Sequence, residues 1–357
     1  MRRDHGGNLR ELLGAGDRPA RTVLDLSASI NPLGVSSKAI RALLEALPSI
    51  MRYPDPEASA LVEALSRYHG VPAGHIVAGH GSTELIYLLA RALAPQRALV
   101  VHPAFSEYEA ALEPLGCEVE RVVGTGDAGW IPPREALLAR VGQVDLVVLA
   151  NPSNPTGAPA PPELLEELAT ACAEARVPLV VDEAFIDFVE GRSLKSTVPR
   201  RPWLGVLRSL TKFFALPGLR VGYALLGERL RARVEEWRQP WSVSALAEAA
   251  GIAALADTAY RAETLRVVPA WRAALGVGLE GLGGLRVYPS VTNYLLVGIE
   301  RPGLTAATLA AALLRDGVAI RSGASFPGLG PNYVRIAVPR PEDQQVLLAA
   351  LARRLEP

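Results

Sequence analysis

The chain has 357 residues, long enough for one large domain with a smaller one beside it rather than a single simple core. Hydrophobic residues make up 49% and charged residues 21%, which excludes a disordered or low-complexity chain. Lys and Arg together number 37, as do Asp and Glu, so no net charge draws the protein to nucleic acid or an anionic membrane.

The opening stretch, MRRDHGGNLRELL, carries charges with no apolar run behind them, and the most apolar later stretch, Val243 to Ala256, is interrupted by Glu248. Neither a signal peptide nor a membrane span is expected, which points to a cytoplasmic protein. Gly79-His-Gly-Ser-Thr-Glu84 is a glycine-rich turn leading into the helical pattern Leu85–Leu93. Short apolar runs follow at Ala98–Val101, Leu146–Ala150, Pro178–Val181 and Gly205–Leu207, each trailed by a turn and a helical pattern. Unbroken runs of this kind suit strands covered on both faces, so the expected fold class is α/β, with a mainly parallel sheet in a βα layout. Cys117 and Cys172 lie in ordinary elements with no His or Cys at metal-ligand spacing, and read as buried small hydrophobes in a reducing compartment; no metal is expected. After about Val221 the pattern changes to helices, amphipathic through Glu228–Glu236 and Ala245–Ala256. Short strands near Leu285–Tyr288 and Tyr333–Val338 then suggest a smaller α+β lobe. The division expected is a large domain over 46–230, a small C-terminal domain over 231–357, and an N-terminal segment, 1–45, packing with the small one.

The segments just after the apolar runs hold the unusual chemistry: His102–Tyr108, Asn151–Gly157, Asp182–Phe185 and Ser209–Arg220. Ligands in open α/β sheets bind beyond the carboxyl ends of strands, so these segments should converge on one rim. The most specific is Ser209-Leu-Thr-Lys212-Phe-Phe-Ala-Leu-Pro-Gly-Leu-Arg220. A lysine between apolar neighbours usually snorkels to the surface. This one follows a strand, with hydroxyls one and three residues before it and an arginine eight residues on. Held in a low-dielectric pocket, such an amine loses its proton readily and can attack an aldehyde, while Ser209 and Arg220 hold a phosphate nearby. Ser82 and Thr83 add backbone N–H groups at a helix start, where an anion is favoured. Asp182, at a strand end, is either a cap for the next element or a carboxylate partner for a ligand's ring nitrogen. Prolines on both sides of Asn154 let its amide be aimed at one ligand atom. Phe105 is core or a ring stacked on the ligand, and its place on the rim favours stacking.

Taken together these residues resemble the fold-type-I pyridoxal-5′-phosphate (PLP) enzymes of the aspartate-aminotransferase fold group, and the resemblance covers nearly the whole chain. It implies that Lys212 is the Schiff-base lysine, Asp182 the partner of the pyridine nitrogen, Asn154 a ligand of the phenolic oxygen and Phe105 the stacking ring. Ser82, Thr83, Ser209 and Arg220 then match the phosphate cup. Arg52-Tyr-Pro-Asp55 resembles the segment whose tyrosine reaches the cofactor phosphate of the other subunit, implying a homodimer that shares Tyr53 across its interface. Arg335, in Tyr333-Val-Arg-Ile-Ala-Val338, matches the arginine that grips a substrate carboxylate.

Within this group the chain looks like the branch of histidinol-phosphate aminotransferase and threonine-phosphate decarboxylase. His5-Gly-Gly-Asn8, the stretch from Asp25 to Gly34 that contains Asn31, Arg208–Gly218 and Pro240–Ser244 look more like the decarboxylase. The aminotransferase usually has Tyr where this chain has Phe185. The implied substrate is a phosphorylated amino acid held by His5, Asn31, Arg321 and Arg335. Decarboxylation of L-threonine O-3-phosphate is the leading expectation and transamination of histidinol phosphate the second. A PLP-binding regulatory module is a third, with little room because no basic recognition domain precedes the PLP region.

Overall fold

Strands that are apolar on both faces must be covered on both sides, and the central sheet of this chain is built from such strands. The computed structural model describes residues 5–13 and 22–355. It opens with a short helix, Leu9–Leu13, followed by a two-residue strand, β1 (Leu24–Asp25), and a helix, Ser37–Ala46, whose first turn is capped by Ser36 Oγ accepting from Ala39 N–H. The large sheet then takes β2 (Ile76–Gly79), β3 (Arg97–His102), β4 (Glu118–Val123), β5 (Leu146–Ala150), β6 (Leu179–Asp182), β7 (Leu204–Ser209) and β8 (Gly222–Leu226). Their spatial order is β2-β8-β7-β6-β5-β3-β4. Every neighbouring pair is parallel except those of β8, which runs antiparallel to both β2 and β7.

Directly after Val221 the sequence reads as helix, and β8 corrects that expectation. Gly222-Tyr-Ala-Leu-Leu is a short apolar run, buried at every position, that lies between β2 and β7. The edge strand β4, Glu-Val-Glu-Arg-Val-Val, also escaped the search for apolar runs because one side of it meets solvent.

The smaller sheet is antiparallel and comprises β9 (Leu285–Val287), β10 (Tyr294–Ile299), β12 (Arg321–Ser322) and β13 (Tyr333–Ala337), in the order β12-β13-β10-β9. The helices Thr258–Glu280, Ala306–Arg315 and Pro341–Leu355 cover it, burying Leu275, Leu279, Leu309, Leu313, Leu347 and Leu351 against β10 and β13. β11 (Val318–Ala319) pairs in parallel with β1, which ties the N-terminal segment to this layer.

Because β2, β3, β5, β6 and β7 point the same way, their carboxyl ends share one rim. The helix Gly81–Leu93 starts at that rim directly after β2, and the loop that enters β8 carries Arg220 to the same place.

Candidate active site

At the rim lies a cleft lined by Ser82, Thr83, Phe105, Asn154, Asp182, Ser209, Lys212 and Arg220 among others. Eight residues expected to act together, drawn from five separate stretches of sequence, thus share one wall. Two others expected at the site lie elsewhere in this chain. Tyr53 is 85% exposed and stacks at 5.2 Å on Trp241, outside the cleft. Asn31 is buried and donates through Nδ2 to Phe213 O (2.7 Å) and Thr264 Oγ1 (2.9 Å), while its Oδ1 accepts from Leu33 N. Its side chain is spent on holding the chain beside Lys212, whose carbonyl accepts from Asn31 N–H at 3.0 Å.

One end of the cleft is built for an anion. Gly81 begins its helix at φ +80°, and a Cβ there would lie 2.7 Å from Arg220 Nη2. Only glycine lets the guanidinium close over the helix start, where free N–H groups and the helix dipole already favour negative charge. A Cβ on Gly222 would likewise stand 2.5 Å from Ser82 N. Ser209 Oγ and Thr211 Oγ1, 2.6 Å apart, add hydroxyls to the same cup.

The floor carries Asp182 at the end of β6. Its Oδ1 accepts from Ala184 N–H (2.9 Å) and its Oδ2 from Tyr108 Oη (2.6 Å). Burial pushes the carboxyl above its ordinary range; the Tyr108 and Ala184 bonds and the nearby Lys212 amine pull the other way. Tyr108 escaped sequence reasoning. The available signal was its place in the first turn of the helix Glu107–Leu112, three residues after Phe105, whose ring it meets edge-on at 5.9 Å.

Lys212 stands between cup and floor. Burial lowers its amine to about 8, the cations Arg335 and Arg220 reinforce that, and Asp182 opposes it. About a tenth of the amine is thus neutral at pH 7, far more than for a free lysine, as a nucleophile or base requires.

Beside Asn154 stands the small sheet. Arg335 is buried; its Nη1 donates to Asn154 Oδ1 (2.6 Å) and its Nη2 to Ser27 O (2.7 Å), and its Nε has no hydrogen-bond partner among the described residues. Burial lowers the guanidinium to about 10. A buried donor without an acceptor is costly and marks a place where a ligand oxygen belongs. With Oδ1 held by Arg335, the NH2 of Asn154 is the end of that amide available to an acceptor in the cleft. Arg321 is the cross-strand partner of Arg335, and both guanidiniums lie over the Phe326 ring, at 5.2 and 5.6 Å.

The donor set fits PLP: a cationic, hydroxyl-lined cup for a phosphate, an amine for an aldehyde, an amide N–H for a phenolic oxygen, a carboxylate for a ring nitrogen and Phe105 for the ring face. The model of the class I and II aminotransferases matches residues 21–352. This chain belongs to that family. A threonine-phosphate decarboxylase of Salmonella typhimurium is 40% identical over 97% of this chain and 95% of its own length. Histidinol-phosphate aminotransferase 2 of Pseudomonas aeruginosa is 36% identical, covering 93% of this chain and 89% of that protein. The crystal structure of histidinol-phosphate aminotransferase from Sinorhizobium meliloti in complex with pyridoxal-5′-phosphate superposes with a TM-score of 0.88 at 26% identity, covering 99% of this chain and 95% of that one. This class I and II member accordingly has the PLP-dependent transferase fold of aspartate aminotransferase.

Proposed function

We propose that the protein is a PLP-dependent decarboxylase that converts L-threonine O-3-phosphate to (R)-1-amino-2-propanol O-2-phosphate. The observation that carries this reading is the pair of buried, cross-strand arginines, Arg321 and Arg335, the second of which donates to the cleft residue Asn154, in addition to the cation already committed to the cup, Arg220. A substrate with two anionic ends suits two cations held on paired strands. The 40% identity to a threonine-phosphate decarboxylase across nearly both full lengths supports it.

PLP, when bound, draws off the electrons of whichever bond at the substrate α-carbon is broken. The chain's own residues then choose that bond. Arg335 holds a substrate anion with Asn154 and Ser27 fixing its direction, and Arg321 holds the other. Lys212 supplies a neutral amine and a place for a proton beside the α-carbon. Phe185, 5.8 Å from the Lys212 amine, presents a ring with no hydroxyl, so one donor to the phenolic oxygen is missing on that side. Asp182, Asn154, Phe105, Ser82, Thr83, Ser209 and Arg220 hold the cofactor in this reading. The protein acts as a homodimer with Tyr53 completing the partner's cup. Its exposure, together with that of Ile40, Leu44, Leu47, Ile50 and Met51 on the same stretch, supports this.

Incubating the PLP-loaded protein with threonine phosphate tests the reaction: release of CO₂ with an equal amount of aminopropanol phosphate is expected. Formation of a keto acid instead would overturn it. A second reading, transamination of histidinol phosphate, is favoured by the 36% identical Pseudomonas aeruginosa relative, and a 2-oxoglutarate-coupled assay with histidinol phosphate separates the two.

A further inference from the structure

His5, Gly6 and Gly7 form a strap between the two sides of the site. At one end Gly7 N–H donates to Ser27 Oγ (2.8 Å), and the strap runs so close that a Cβ on Gly6 would lie 2.0 Å from Ser27 O. That carbonyl is the one that accepts from Arg335 Nη2. At the other end His5 Nε2 lies 2.9 Å from Glu107 Oε1, and its ring centre is 5.7 Å from that of Phe105. Three residues reach about 11 Å at most. The imidazole therefore sits at the mouth, between the stacking ring and the loop that braces Arg335.

Glu107 itself is buried, and Tyr87 Oη donates to its Oε2 at 2.7 Å. Burying a carboxylate is costly unless it is well partnered, and this one lies outside the cofactor cup. Its Oε1 stands against a ring that is 40% exposed and so helps to fix where the imidazole sits. Tyr87 lies on the helix Gly81–Leu93, which also starts the cup, so the arrangement is anchored on a rigid element.

We propose that Glu107, braced by Tyr87, is a positioning residue that holds His5 over the mouth to recognise the substrate's phosphate group. The strap, together with the arginines, then selects phosphorylated amines over their unphosphorylated counterparts. The inference rests on the proposed function only in taking a phosphorylated amine as ligand, and it applies equally to threonine phosphate and histidinol phosphate.

The test is to titrate the PLP-loaded wild type, Glu107→Gln, His5→Ala and the double variant with threonine phosphate, histidinol phosphate and L-threonine, reading dissociation constants. Glu107→Gln should weaken whichever phosphorylated amine the wild type binds by about tenfold, the scale of one charge-assisted hydrogen bond, and leave L-threonine unchanged. In the His5→Ala background the same substitution should add nothing, because Glu107 acts through His5. Tyr87→Phe should shift selectivity in the same direction and serves as the second variant if Glu107→Gln melts early. Equal weakening of L-threonine, additive losses in the double variant, or no loss at all would overturn the positioning role while leaving the wild type's reaction intact. A wild type with no preference for either phosphorylated amine would overturn the proposed function as well.

Discussion

Lys212 shows at the scale of one residue how function costs stability. Its amine titrates near 10.5 in an unfolded chain and at about 8 in the fold, so folding disfavours the charged form. For a base lowered in this way the penalty is fully present below pH 8 and disappears as pH rises past 10.5. A lowering of this size corresponds to about 3 kcal/mol. We expect Lys212→Met in the cofactor-free protein to be more stable than wild type at pH 7 by up to that amount, with the gain shrinking towards pH 10.5; urea unfolding at several pH values measures it. Tyr108 works in the opposite sense, since removing its hydroxyl leaves Asp182 Oδ2 without its buried donor. Tyr108→Phe should cost about 1–3 kcal/mol in unfolding experiments. It should also raise the Asp182 carboxyl further and weaken PLP binding, which titration of the cofactor's visible absorbance would show.

At the scale of elements, the carboxyl ends of β6 and β7 are bolted together by a buried charge cluster. Arg208, one residue before Ser209, is fully buried and pairs with Glu183 (3.2 Å), Asp187 (3.0 Å) and Glu190 (2.6 Å); Glu183 directly follows Asp182. Burial pushes Glu183 up to about 7, against the pull of Arg208. Removing the cation would strand several buried carboxylates. Arg208→Met is therefore expected to destabilise the protein by about 3–5 kcal/mol, with the loss growing as pH rises through 7 and Glu183 ionises. Denaturant melts at pH 6 and pH 8 would check both size and direction. The sequence displayed Arg208 only as part of a family-like stretch. That it joins two strands depends on Glu183, Asp187 and Glu190, which lie some twenty residues earlier in the chain.

The whole molecule adds a prediction that no single chain can satisfy. If Tyr53 completes the cup of a second subunit, a Tyr53→Phe protomer paired with a Lys212→Ala protomer contains one intact site and one doubly defective one. Purified heterodimers should then recover about half of wild-type activity although each parent variant is impaired. Parental activity levels in verified heterodimers would show instead that each site is complete within its own chain.

The segments at the rim were legible because each joins an unbroken apolar run to polar residues with few structural uses: Lys212 among apolar neighbours, Asn154 between prolines, glycine before Ser82. Local chemistry of that sort survives in a one-dimensional string, and it determined the α/β class and pointed to the cationic end of the cleft and its buried amine. Other features became visible only in three dimensions. β8, a short apolar run, is a strand because it pairs on both sides, with β2 and with β7, which lie far from it or across a turn in the chain. Asn31, which the sequence offered as a substrate contact, turned inward to meet Phe213 and Thr264. The Tyr108–Asp182 bond spans 74 residues, the Arg335–Asn154 bond 181 and the Arg335–Ser27 bond 308. Spacing patterns report neighbours within a few residues, whereas burial decides which distant polar atoms must find one another. The tertiary structure alone therefore settled how the site is braced.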